Sequence, residues 1–128
     1  MNSDKKELLS CIVFPVIPSN GISAHALALR LYLRYGVCST LCGHRKNILD
    51  LLDPFCSFLR APYSENGDLT IRLLKDFSEE ISDYIPILVP ADEEDKLFIE
   101  SRASELESFY IITSSYKRFK DLPIIKFA

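Results

Sequence analysis

The sequence predicts an α/β fold of Rossmann-like, three-layer type, a parallel sheet with helices on both faces. Short apolar, β-branched runs alternate with stretches whose apolar residues recur at helical spacing, the pattern of consecutive βαβ units. Two of those runs, CIVFPVIPSNG over residues 11–21 and ILVPADEE over residues 87–94, stop at a proline and give way to small or acidic residues opening a helix. The 128 residues also suffice for one substantial core but not for two.

Residues 11–17 form the first strand, continuously apolar because a central parallel strand is buried on both faces. Ser19, Asn20 and Gly21 make the turn. The helix that follows carries Ala24, Leu27, Ala28, Leu31 and Tyr35 on one face and Arg30 and Arg34 outward, and Gly36 ends it. Residues 37–42 give a second strand, and residues 47–53 a short helix stopped by Pro54. The third strand is residues 56–60, closed by Ala61 and Pro62. After a loop with Ser64, Asn66 and Gly67, Asp68 caps a helix whose buried stripe is Ile71, Leu74, Phe77, Ile81 and Tyr84. The fourth strand spans residues 85–89, and Asp92 caps a helix facing the core with Leu97, Phe98 and Leu106. A fifth strand over 109–113 and a short helix over 116–122 complete the pattern. Right-handed crossovers then favour a five-stranded sheet in the order 3-2-1-4-5. Residues 1–122 form this domain. Residues 123–128 carry Ile124, Ile125 and Phe127 with no partner left in the chain, and read as the start of a linker to a further domain.

Hydrophobic residues at 48% and charged residues at 26% describe an ordinary globular protein. A net charge of −3 argues against nucleic acid or an anionic membrane as partner. Lys117, Arg118 and Lys120, interleaved with Tyr116 and Phe119, read as a solvated helix face. No apolar run reaches the roughly 20 residues of a membrane helix. Lys5 and Lys6 before an apolar run imitate a signal peptide, but Asp4, Glu7, Pro15 and Pro18 break that pattern. The four cysteines, Cys11, Cys38, Cys42 and Cys56, fall in predicted strands and are expected as buried free thiols of a cytoplasmic protein. Cys38, Cys42 and His44 share one strand parity, yet lack the turn spacing of a zinc site, so no metal site is assigned.

Ligands of such sheets bind outside the carboxyl ends of the strands, where the two proline-ended junctions lie. The first turn has one glycine where a dinucleotide fingerprint has three, and Cys42-Gly43-His44 stands where an acidic ribose ligand belongs. There is no lysine-bearing phosphate loop and no G-x-S-x-G, and the first strand ends in Val16-Ile17-Pro18 rather than a receiver domain's acids. No catalytic residue is assigned. Ser19, Asn20 and the free N–H groups behind them can receive a carboxylate or phosphate, or simply cap a helix. Asp92, Glu93, Glu94 and Asp95 complement a helix dipole as a solvated face, but Asp92 and Glu93 can also point at an amine across the crevice. His25 and His44 read as surface or capping residues.

In its order of features the chain resembles the N-terminal (pre-ATP-grasp) domain of ATP-grasp ligases, in the branch with carbamoyl-phosphate-synthase-like and amino-acid ligase proteins. The resemblance rests on PSNGISAHALALRLYLRYGV, CSFLRAP, and ILVPADEEDKLFIESRASEL followed by YIITSS, with Ser101-Arg102 at the family's turn, and covers about residues 9–115. It implies a longer enzyme that activates a carboxylate as an acyl phosphate for attack by an amine, using ATP and magnesium held by a further domain of the same polypeptide. It also implies that Ser19, Asn20, Gly21, Asp92 and Glu93 contact a small carboxylate or amine substrate. The family's nucleotide lysines and magnesium-binding Glu and Asn have no counterpart here, so no cofactor and no activity are expected of the chain alone. Two other readings stand beside this one. One is a stand-alone binding or interaction module that can form a homodimer through the apolar tail; the other is a Rossmann-type enzyme with an unusual cofactor loop.

Overall fold

The computed structural model describes residues 3–45 and 47–127, with the Phe127 side chain left aside. Five strands, β1 (Val13–Ile17), β2 (Ser39–Gly43), β3 (Cys56–Arg60), β4 (Ile85–Leu88) and β5 (Ile111–Ile112), form one sheet in the order β3-β2-β1-β4-β5. Every pairing is parallel, as the alternation of strand and helix requires. Among the described residues eight helices surround it: α1 (Ser3–Ile12), α2 (Ile22–Tyr35), α3 (Ile48–Leu52), α4 (Asp68–Glu80), α5 (Glu93–Ser101), α6 (Ala103–Leu106), α7 (Tyr116–Phe119) and α8 (Pro123–Phe127). None of the described helices is long and apolar enough to cross a membrane.

The two-residue period of the strands divides the core in two. Val13, Ile17, Leu41, Ile87 and Val89 face one layer, where they meet Leu9 of α1, the stripe of α2, Phe119 of α7 and Ile125 of α8. Val16, Cys42 and Leu88 face the other, against Ile71 and Leu74 of α4, Ile99 of α5 and Leu106 of α6. All five predicted stripe residues of α2 are buried. Its end is fixed by Gly36, whose φ of 73° suits glycine, and a Cβ there would stand 2.7 Å from Lys6 Cβ on α1.

Several expectations change. Residues 11 and 12 are the last turn of α1, so β1 starts at Val13, and the N-terminal helix was not foreseen. The apolar stretch misled because Ile12 and Val13 read together as strand, whereas Leu9 anchors a helix that packs against α2. Cys11, in the last turn of α1, and Cys38, just before β2, are exposed, Cys42 is buried and Cys56 half-buried, so burial of every thiol does not hold. Gly67, not Asp68, precedes α4 as its cap, and Tyr84 lies exposed beyond the stripe. On α5 the buried residues are Asp95 and Ile99, four apart on one face, and Leu97 lies off that face and is exposed. Residues 123–127 are the helix α8, not a free tail: Ile125 is 3% exposed within the core, and Leu122 and Ile124 pack beside it.

Candidate functional site

Val16 of β1 stands opposite Leu88 of β4, so the two proline-ended junctions leave the sheet side by side. Strand order reverses at β1, the neighbouring loops diverge, and a cleft of about 400 Å³ opens beyond the strand ends. Ser19 and Asn20 line it from β1, Gly43 and His44 from β2, and Asp92, Glu94 and Asp95 from α5.

The α5 end of the cleft is set by helix phase. Asp92 caps the helix, its Oδ1 accepting the Asp95 N–H at 2.9 Å. One turn in, Asp95 points back beneath the cap and is 6% exposed. Its Oδ2 accepts the Ser19 hydroxyl at 2.7 Å and the Ala91 N–H at 2.9 Å. Burial nonetheless pushes this carboxyl up to about 6, against those two hydrogen bonds and with help from the Asp92 and Glu94 charges. Glu65 adds a fourth carboxylate to Asp92, Glu94 and Asp95, and among the described residues no lysine or arginine lines the cleft. His44 packs against Tyr63 at a ring distance of 5.2 Å.

Asn20 anchors the opposite wall. Its Nδ2 donates to the Arg45 carbonyl at 2.7 Å and to Asp50 Oδ2 at 2.9 Å, and its own carbonyl accepts from Asn47 Nδ2 at 3.2 Å. A Cβ on Gly43 would overlap the Asn20 carboxamide, so the glycine is what lets Asn20 lie across the end of β2. Gly21 caps α2 and is exposed, with its carbonyl accepting the His25 N–H. Glu93 turns away from the cleft. It borders a second groove of about 590 Å³ between α2 and β5, shared with Asp92, Arg30, Lys96 and Lys117. Of the five expected contacts, then, Ser19, Asn20 and Asp92 share one cleft, and Gly21 and Glu93 are not among its walls.

Behind this wall a second polar cluster surrounds His25, which is 7% exposed. Its Nε2 lies 2.8 Å from Asp50 Oδ1, and its Nδ1 lies 2.7 Å from Asp53 Oδ2 and 3.7 Å from Cys56 Sγ. Burial alone would raise the Asp53 carboxyl, but hydrogen bonds from His25, the Phe55 N–H and Cys56 hold it below its ordinary value. Burial, and then Asp53, push the Cys56 thiol up to about 12.

No protein-family model and no curated protein matches the chain. A solved structure does: an NADH-dependent reductase, A1-R′, complexed with NAD, at a TM-score of 0.50 and 16% identity. The match covers 81% of this chain and 51% of that one, so the chain spans about half its length. The fold is Rossmann-like. At that identity the likeness carries the arrangement of sheet and helices and nothing of the chemistry.

Two parts of the polar architecture escaped the sequence reading. Asp95 sits in a run of four acidic residues, and only the position of the helix start decides which of them turns inward. His25 looked isolated because its partners lie 25 and 28 residues away. The available signal was the close spacing of Asp50, Asp53 and Cys56, which the short connection from α3 to β3 brings beside His25 of α2.

Proposed function

We propose that this chain is the N-terminal, substrate-side domain of an ATP-grasp ligase that joins a carboxylate to an amine through an acyl phosphate, and that the cleft receives the amine. The sequence resemblance supports the family, and one observation supports the role: the acidic cleft at the reversal point of the sheet. Four carboxylates, with no lysine or arginine lining the cleft among the described residues, attract an ammonium group and repel phosphate. Asp92 and Glu94 stand nearer solvent and draw the cation in, while Asp95, held by Ser19, gives it a fixed oxygen acceptor. Positioning an amine in this way supplies orientation, not bond-making, to the reaction.

A triphosphate does not fit the described residues here. Among them, Asn20 fills the space above Gly43 at the end of β2, and the acidic lining opposes the phosphate charge. The same crowding and charge disfavour the dinucleotide held by the reductase. We infer that nucleotide and metal bind the further domain of the same polypeptide.

Expression of the natural reading frame, continued past residue 128 if it continues, allows the direct test. ADP release that requires both a carboxylate and an amine, and an amine KM that rises when Asp92 or Asp95 is replaced, support the proposal. An open reading frame that lacks any ATP-binding domain, or ADP release indifferent to amines, contradicts it.

A further inference from the structure

We propose that His25 Nδ1, Asp53 Oδ2 and Cys56 Sγ form a binding site for a zinc-type divalent transition-metal ion. These three atoms lie within 4.8 Å of one another, at the junction of α2, the end of α3 and the start of β3. Ligand atoms around one tetrahedral zinc stand about 3.2–3.7 Å apart. The Sγ–Nδ1 separation of 3.7 Å already matches, and the Nδ1–Oδ2 contact of 2.7 Å has to open by about half an ångström.

The surroundings of the ligands are those of a metal site. Asp50 Oδ1 lies 2.8 Å from Nε2, an outer partner that orients the ring and turns Nδ1 toward the other two ligand atoms. Asp50 is itself held, its Oδ2 accepting from Asn20 Nδ2 and from the Asn47 N–H at 2.9 Å each. Asp53 Oδ1 accepts the Phe55 N–H at 2.8 Å, so Oδ2 is the atom left to bind. With both ring nitrogens facing carboxylates, a divalent ion replaces the hydrogen between Nδ1 and Asp53 and draws in the sulfur at the same time. One carboxylate and one thiolate neutralise its two charges, and the thiolate selects zinc-like ions over calcium or magnesium. Three protein ligands leave one position for water or an added ligand. The Asp53 side chain is 13% exposed and Cys56 is half-buried, so solvent reaches the site while His25 stays covered.

Cobalt(II) titration of the reduced chain, followed in the near ultraviolet, tests the assignment. The expected result is one equivalent bound, with a thiolate-to-cobalt charge-transfer band that zinc abolishes by displacement. Cys56→Ser removes the band, and Cys38→Ser, at the exposed thiol just before the neighbouring strand β2, leaves it intact. Asp50→Asn keeps the band but weakens affinity about 10- to 100-fold. Circular dichroism on each variant establishes that it folds. A folded wild-type chain without the band, a band that survives Cys56→Ser, or one lost with Cys38→Ser overturns the site.

Discussion

Ser19 gives its hydroxyl hydrogen to Asp95 at 2.7 Å across 76 positions of sequence. That bond joins the end of β1 to the first turn of α5 and turns two separate strand-to-helix junctions into one wall. It also holds a carboxylate where water is largely excluded, a costly arrangement for the charged form.

That cost sets the first prediction. The folded Asp95 carboxyl titrates at about 6 against 3.8 for the ordinary group, so the fold favours its protonated form. Its stabilising contribution is full below the ordinary value and is lost as pH rises through about 6, a difference on the order of 3 kcal/mol by pH 7. Asp53, held low, weakens the fold only at more acidic pH than this window. Asp95→Asn should therefore be more stable than wild type at pH 7, by about 2 kcal/mol, with a flatter profile down to about pH 4.5. Urea denaturation across that range checks it, and an unchanged slope would place the charge elsewhere.

Gly43 and Asn20 should be energetically coupled. Gly43→Ala forces the carboxamide off Asp50 and the Arg45 carbonyl, at a cost of about 1–3 kcal/mol. In Asn20→Ala the space is already vacated, so the double variant should lose less than the sum of the singles. Strict additivity in denaturation experiments would show that the two do not compete for the same space.

The last helix belongs to the core. Phe119 is fully buried beside Tyr35, at a ring distance of 4.8 Å, and Ile125 lies in the same cluster. Phe119→Ala should cost about 3–5 kcal/mol and Ile125→Ala about 2–4 kcal/mol in unfolding free energy. A near-neutral Ile125→Ala would return residues 123–127 to the role of a linker.

Much of this architecture was legible because it depends on local periodicity. The buried stripe of α2, the bounds of β3 and the order of the sheet all follow from apolar spacing and from crossover geometry. Less legible were features fixed by phase or by distant partners. A shift of one residue in the start of α5 would bury Glu94 or Lys96 in place of Asp95, and the sequence carries no mark of that phase. Leu9 as the anchor of α1 was hidden for a related reason, since one buried residue among charged neighbours makes no stripe. The family resemblance drew attention to Asp92 and Glu93, whereas the carboxylate set deepest in the cleft wall is Asp95.

Thiol chemistry separates the four cysteines into two classes. Cys11 and Cys38 are exposed and should react promptly with a disulfide reagent in the native state. Burial pushes the Cys42 thiol up to about 12, so it should react only on unfolding, and half-buried Cys56, raised similarly, should react more slowly than the exposed pair. Four equivalent fast reactions would contradict the packing of β2 and β3.

Titration calorimetry of the chain with amino-acid amides, with their N-acetylated counterparts, and with ATP and NAD tests the ammonium-binding cleft most directly. The acidic lining predicts a Kd of about 1 mM for ligands bearing an ammonium group, no heat from the acetylated forms or the nucleotides, and loss of binding in Asp95→Asn. Micromolar binding of either nucleotide, or equal binding of amine and acetylated amine, would contradict it.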